Sequence, residues 1–329
     1  MLNPELKLNP KIFDEDVEQK PIRDGYGEAL LELGEKNPNV VVLTADLAES
    51  TRVHKFAEKW PERFIECGVA EQNMAGIAAG LGISGKIPFI SSYATFSPGK
   101  NWEIIRTAIV YNESNVKIAG HHAGIATGPD GATHQATEDI AIMRCLSKIK
   151  IISPCDAIEA KKATLYSAEV YGPVYLRFVR EKTPIITTEE TPFEFGKIPI
   201  FWISENPIIA IFATGHLVYQ ALLAAKELEE EGIETYVLNV HTIKPLDEET
   251  ILEVVNKVKG IVTVEDHQIA GGMGSALAEF LAKTKPTKIE FIGLQDTFGE
   301  SGSMGDLLKK YKMDKESIKE AVKKLIKNI

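Results

Sequence analysis

Cysteine is scarce in this 329-residue chain: Cys67, Cys145 and Cys155 are an odd number, scattered without CxxC spacing. That pattern suits neither a disulfide framework nor a thiolate zinc site, and a reducing, cytoplasmic setting fits it best. Long apolar runs are also missing. Nowhere do about 18 apolar residues follow one another, and the opening stretch ELKLNPKIFDEDVEQK is polar and acidic where a signal peptide has a cationic start and an apolar run. No membrane or export role is expected. No Lys/Arg cluster is set among aromatics, the net charge is −10 and the pI about 5.4. Nucleic acid is therefore not an expected partner, because phosphate attraction needs a basic surface. A GxSxG elbow and a P-loop are absent. The nearest approach to a dinucleotide fingerprint, AGGMGS at 270–275, reads instead as close strand–helix packing.

What is present is the composition of a globular protein, with 44% hydrophobic and 26% charged residues in 36.2 kDa, enough for two ordinary cores. From Val40 onward short apolar runs (VVVLTAD, RFIEC, IPFISS, VKIAGHH, IKIISP, PVYLRFV) alternate with amphipathic segments that begin near Ser50, Glu71, Pro98, Gln135 and Asp156. This alternation predicts an α/β fold with a parallel sheet covered by helices on both faces, and ligands bound beyond the carboxyl ends of the strands. Around 189–206, Pro192 and Pro199 interrupt the pattern, with Pro184 and Pro207 flanking. The alternation then restarts through NPIIAIFATG, ETYVLNV, GIVTVED and KIEFIGL. The expected organisation is an extension over 1–20, a first parallel-sheet domain over 21–188, a connection over 189–206 and a second, smaller α/β domain over 207–329.

Four stretches carry candidate chemistry. In FIECGVAEQNMAGIAAGLGIS, helical spacing puts Glu71 on one face with Met74, Ala75 and Ala78, a carboxylate heading an apolar stripe. A first-turn carboxylate gains about 0.3–1 kcal/mol from the helix dipole. Burying it ionised and unpaired costs several kcal/mol, so spacing leaves a dipole role and a functional role both open. In GHHAGIATGPDGATHQATED, which follows a strand, His121, His122, Asp130 and His134 share one polar loop where catalytic groups often gather; a zinc site there lacks recognised ligand spacing. In SSYATFSPGKNW, Tyr93, Phe96 and Trp102 read either as core or as stacking faces for a heteroaromatic ring. In LRFVREK, Arg177 and Arg180 read as exposed surface or as an anion clamp.

Taken together, PIRDGYGEAL, LTADLAEST, RFIECGVAEQNM, PFISSYATF, GPDGATHQ and DTFGESGS resemble the carboxyl-terminal half of a transketolase, a thiamine-diphosphate enzyme, over nearly the whole chain. The resemblance implies a pyrimidine-binding domain followed by a transketolase-type carboxyl-terminal domain. It implies that Glu71 hydrogen-bonds N1′ of the cofactor's aminopyrimidine, favouring the imino tautomer that takes the thiazolium C2 proton. Catalytic roles then fall to Glu71 and His134. Tyr93 and Phe96 line the aminopyrimidine pocket; His122, Asp130 and His134 contact sugar hydroxyls and the reacting carbonyl; Arg23, Ser50 and Arg180 hold the sugar phosphate.

Departures from the family pattern are as informative. GPDGATH replaces the commoner Gly-Glu-Asp-Gly-Pro pattern, and SPGKN replaces a run that often holds a further aromatic. The family's Gly-Asp-Gly motif, which binds the diphosphate and magnesium, does not occur in this sequence. The expectation is a split enzyme: a second polypeptide, the amino-terminal transketolase subunit, brings the diphosphate and a divalent cation, and no metal is held by this chain. An α2β2 assembly around a homodimer core is the simplest arrangement. Rivals are deoxyxylulose-phosphate synthase, the β subunit of a 2-oxo acid dehydrogenase, and a non-catalytic scaffold or regulatory subunit. His121-His122-Ala123-Gly124 favours transketolase over the synthase, which tends to have Asp-Arg-Ala-Gly there.

Overall fold

The apolar runs form two large sheets in the computed structural model, which describes residues 1–329 throughout. Across the first sheet the strands run Thr242–Lys244, Lys150–Ile152, Val174–Arg177, Lys117–His121, Ile87–Tyr93, Val40–Thr44 and Phe64–Glu66. Its strands Val40–Thr44 and Lys117–His121 are buried along their whole length, as parallel strands covered on both faces must be. The second sheet runs Ile289–Leu294, Gly260–Gln268, Ile209–Ala213, Thr235–Asn239 and Ile200–Trp202.

Neither sheet is purely parallel. Thr242–Lys244 lies antiparallel to Lys150–Ile152, and Ile200–Trp202 antiparallel to Thr235–Asn239. Both edge strands come from places where the sequence pattern is weak. Ile200–Trp202 lies inside the segment read as a connection; its Phe201 and Trp202 are buried, so the proline-rich stretch supplies a strand as well as a link. Residues 1–20 are equally engaged. The Asn3 amide donates to the Phe201 carbonyl at 2.9 Å, Leu8 and Ile12 join the core of the second sheet, and Gln19–Pro21 pairs with Lys182–Pro184.

The expected helix starts shift toward the carboxyl end where the backbone is held otherwise. Arg52 sits at φ 66, a left-handed conformation no helix accepts, so the helix expected from Ser50 begins at His54. Beyond Pro98 it begins at Trp102, and beyond Gln135 at Asp139. The helix Glu71–Ile83 starts where the spacing puts it, and Asp156 caps the helix Ala157–Glu169 by accepting from the Glu159 amide. Among the helices that escaped the periodic reading is Ile22–Lys36, because its glycines blur the pattern. Gly25 is there for space: a Cβ would stand 1.9 Å from the Ala157 carbonyl oxygen of the neighbouring helix.

A single cluster of 32 buried residues runs from Val41 and Ile118 in the first sheet, with Met74 of the helix Glu71–Ile83, to Phe212 and Leu238 in the second, with Leu277 of the helix Met273–Thr284. The sheets cannot part without exposing that surface. Polar groups line the same seam. Asp156 accepts from the Ile186 and Thr187 amides at 2.8 and 2.6 Å, and Glu159 accepts from the Cys155 amide and the Asn239 side chain at 2.7 Å each.

Burial, with the Asp156 charge beside it, pushes the Glu159 carboxyl up to about 7. The unfolded chain then loses this proton first as pH rises, so stability should fall between about pH 4.5 and about pH 7. Glu159→Gln is expected to remove up to about 3 kcal/mol of that fall, read as the difference between wild-type and variant urea midpoints at pH 5 and pH 7.5.

Candidate active site

Parallel strands end on one edge of the first sheet, and the candidate residues follow from those ends. Tyr93 closes Ile87–Tyr93, His122 follows Lys117–His121, Arg180 follows Val174–Arg177, Ser50 lies in the loop beyond Val40–Thr44, and Glu71 opens the helix after Phe64–Glu66. This is where open α/β sheets bind ligands.

Glu71 is 2% exposed, and Met74, Ala75 and Ala78 beneath it are fully buried. The helix dipole does not have to carry this carboxylate. Lys100 Nζ donates to Glu71 Oε2 at 2.7 Å, and Asn101 Nδ2 donates to the Glu71 carbonyl at 3.1 Å. Both partners come from SPGKN, the run that departs from the family pattern. The pair bridges inside and outside, since the Lys100 side chain is 42% exposed. Oε1 takes no part in the pair and stays available to a ligand.

Beside this loop an aromatic–imidazole stack forms. Tyr93 lies on His122 with ring centroids 3.8 Å apart and planes 23° from parallel, and on Phe96 at 5.9 Å and 15°. His134 meets the edges of both, 5.5 Å from Phe96 and 6.1 Å from Tyr93. His122 is buried at φ 53, and its carbonyl accepts from the Thr127 hydroxyl at 2.6 Å. A non-glycine residue held there stores strain of about 1–2 kcal/mol. Burial and then the Arg23 guanidinium push its imidazole down to about 2, so the ring is neutral at physiological pH. Arg23 Nη1 stands 3.4 Å from Nε2 and can only donate, so the ring proton belongs on Nδ1. Nδ1 is buried without a partner, a donor directed at no protein group.

Cations gather on the far side. Arg23 Nη1 donates to the Ser50 carbonyl at 2.8 Å, and Arg180 Nη1 reaches the Thr127 carbonyl at 3.1 Å and Asp130 at 3.4 Å. Burial, then the charges of Arg52 and Arg180, lower the Arg23 guanidinium from its ordinary value. An acidic protein thus keeps a small basic spot that an anion would relieve. Arg52 was not foreseen; its Nε is 2.6 Å from Asp24, and nothing in the local pattern marks it. Lys100 was visible only as the one cation in SPGKN.

Three candidates lie elsewhere. His121 is core: it is fully buried between Tyr26 and Phe178 at 5.0 and 5.1 Å, with both ring nitrogens unpartnered. Arg177 is neither surface nor anion clamp, because it is buried in an ion pair with Asp139 at 2.8 Å. Trp102 packs against the core, its indole donating to the Ile142 carbonyl at 2.7 Å. In AGGMGS the amides of Met273 and Gly274 donate to Glu265, so the protein's own carboxylate fills the helix start that a phosphate would need.

Both halves of the chain match described domains. Residues 18–185 match the pyrimidine-binding domain of transketolase and residues 202–318 the transketolase C-terminal domain. The putative transketolase C-terminal section of Methanocaldococcus jannaschii is 48% identical over 303 residues, 91% of this chain and 94% of that protein. A 6-deoxy-6-sulfo-D-fructose transketolase subunit of Clostridium sp. strain MSTE9 is 38% identical over 306 residues, 93% of this chain and 94% of that one. A solved structure described as a split gene transketolase, inactive beta4 tetramer, superposes with a TM-score of 0.84 at 40% identity, covering 93% of this chain and 98% of that chain. The chain belongs to the transketolase family.

Replacing Lys100 by Met would leave the Glu71 carboxylate buried without its partner. The expected loss is about 1–3 kcal/mol in urea unfolding, with Lys100→Arg close to wild type; equal stability for all three would show that the pair contributes nothing.

Proposed function

We propose that this chain is the carboxyl-terminal subunit of a split transketolase, moving a two-carbon ketol unit from a ketose phosphate to an aldose phosphate with thiamine diphosphate. The observation that carries this reading is the buried Glu71 carboxyl, with Oε1 unused, tied through Lys100 and Asn101 to the loop that bears Tyr93 and Phe96. That donor set suits an aminopyrimidine: a carboxyl for N1′ and flat aromatic faces for the ring. When bound, the cofactor supplies the carbon acid that accepts the ketol unit and passes it on.

Glu71 would hold or exchange a proton at N1′, in a setting where water is largely excluded. Tyr93 and Phe96 fix the ring's plane. Neutral His122, whose buried Nδ1 meets no protein acceptor, would contact a sugar hydroxyl or carbonyl oxygen, and half-buried His134 would move a proton there. Asp130 would orient a hydroxyl, while Arg23, Ser50 and Arg180 would hold the phosphate.

The missing Gly-Asp-Gly motif supports a second chain that brings the diphosphate and a divalent cation such as Mg²⁺, in an α2β2 assembly around a homodimer core. The match over more than nine-tenths of the chain with a putative C-terminal section and a split-gene subunit supports a second chain too. No helix is long and apolar enough to cross a membrane, and three free cysteines support a cytoplasmic setting. Relatives named for sulfofructose and apulose phosphate leave the sugar as an experimental question.

The test mixes this chain with its amino-terminal partner, thiamine diphosphate and Mg²⁺, and follows ketol transfer between sugar phosphates. Glu71→Ala is expected to lower kcat by at least about 100-fold, and full activity in that variant would sink the mechanism. Arg180→Ala should raise KM for phosphorylated sugars about 10-fold with kcat nearly kept. Carbon dioxide released from pyruvate with glyceraldehyde phosphate would point to the synthase instead. Absence of cofactor binding by the assembled chains would favour the scaffold reading.

A further inference from the structure

The loop that bears His122, Asp130 and His134 is not held by its own domain alone. Its two limbs meet where Ala123 bridges Ala136 and the Gly124 amide donates to the Ala136 carbonyl at 2.7 Å. Directly beneath sits Asp266, from the strand Gly260–Gln268 of the second sheet, 1% exposed. Its Oδ1 accepts from the Ile125 amide at 2.8 Å; its Oδ2 accepts from the Ala126 amide at 3.1 Å and faces His216 Nε2 at 3.0 Å. Gly124, at φ 77, permits the approach: a Cβ there would stand 2.1 Å from Asp266 Oδ2. Burial alone would raise this carboxyl, but the His216 bond, the Arg177 charge and the Ile125 amide hold it below its usual value.

A second grip lies on the other limb. The Gln268 amide donates to the Thr137 carbonyl at 2.7 Å, and the Gln268 side chain ties down the segment 296–301 through the Thr297 carbonyl at 2.7 Å and the Asp296 amide at 3.1 Å. From that segment the Glu300 carbonyl accepts from Gln135 Nε2 at 2.9 Å, the same nitrogen that reaches the Ile125 and Gly128 carbonyls at 3.3 Å. Asp130 and His134 lie on the span between the two grips.

We propose that the second domain serves catalysis by fixing this loop, with Asp266 as the positioning residue that sets where His122 and His134 stand, a role that rests on the ketol-transfer reading of the same site. Asp266 touches no substrate. It supplies two carboxylate oxygens to adjacent backbone amides, and an amide in its place must turn an NH₂ toward one of those N–H groups or toward His216. The limb then shifts while the core strands keep their bonds.

The experiment uses the assembled enzyme with Asp266→Asn and, as a milder variant that leaves the carboxylate in place, Gln135→Ala. Hydrogen exchange at Ile125 and Ala126 should speed up at least about 10-fold in Asp266→Asn, with the strand Val40–Thr44 unchanged. For ketol transfer, kcat should fall about 10–100-fold in Asp266→Asn and less in Gln135→Ala, while thiamine diphosphate affinity stays within about twofold of wild type. Unchanged loop exchange with unchanged kcat would overturn the proposal, as would protection lost evenly across both sheets, which marks a merely structural role. If the wild-type assembly transfers no ketol unit, the functional reading fails, and the exchange data still decide whether Asp266 fixes the loop.

Discussion

A guanidinium buried at the meeting point of two sheets organises this molecule. Arg177 ends a core strand, grips Asp139 through Nε and Nη2 at 2.8 and 3.2 Å, and donates to the Asp266 carbonyl at 2.8 Å; the Tyr175 hydroxyl adds a further bond to Asp139 at 2.7 Å. Burying such charges costs several kcal/mol per ion unless nearly every donor and acceptor is met. The cost is offset only in one arrangement of the strand end, the helix after the loop that bears His122 and His134, and the second sheet. The loop's far anchor, Asp139, and its floor, Asp266, are therefore set by the same side chain.

The candidate site shows three ways of managing charge within one loop system. Glu71 is met by a lysine that reaches it from near the surface. His122 is kept neutral by burial and a facing arginine. Arg23 and Arg180 stay close despite like charge, an arrangement that an anion would stabilise. Acid, neutral donor and cation thus stand side by side at this edge of the sheet, as the proposed aminopyrimidine, sugar and phosphate would require.

Much of this was legible in the sequence, and the limits have physical causes. Central strands such as VVVLT announce themselves because burial on both faces demands continuous apolar residues. The Glu71 stripe was readable because the helix starts where the spacing says. What could not be read depends on the third dimension. The helix Ile22–Lys36 was masked by glycines whose purpose lies on distant segments: Gly25 leaves room for the Ala157 carbonyl, Gly27 for Arg52 and Gly34 for Trp60. Arg177 looked like an anion ligand because no local pattern reveals Asp139 beside it. Lys100 answered the question of the buried carboxylate from 29 residues away. His121 and His122 are neighbours in sequence with opposite fates, since one ring turns into the core and the other onto Tyr93.

The three-residue strand Thr242–Lys244 gives the architecture a directional dependence. Although it follows three strands of the second sheet in the chain, it closes the edge of the first, covering Lys150–Ile152, which would otherwise offer unpaired backbone groups to any passing strand. A cut after the first domain would therefore leave it open-sided and sticky. The two halves are distinct in sequence yet depend on each other: a piece ending at residue 188 would present the bare Lys150–Ile152 edge to aggregation.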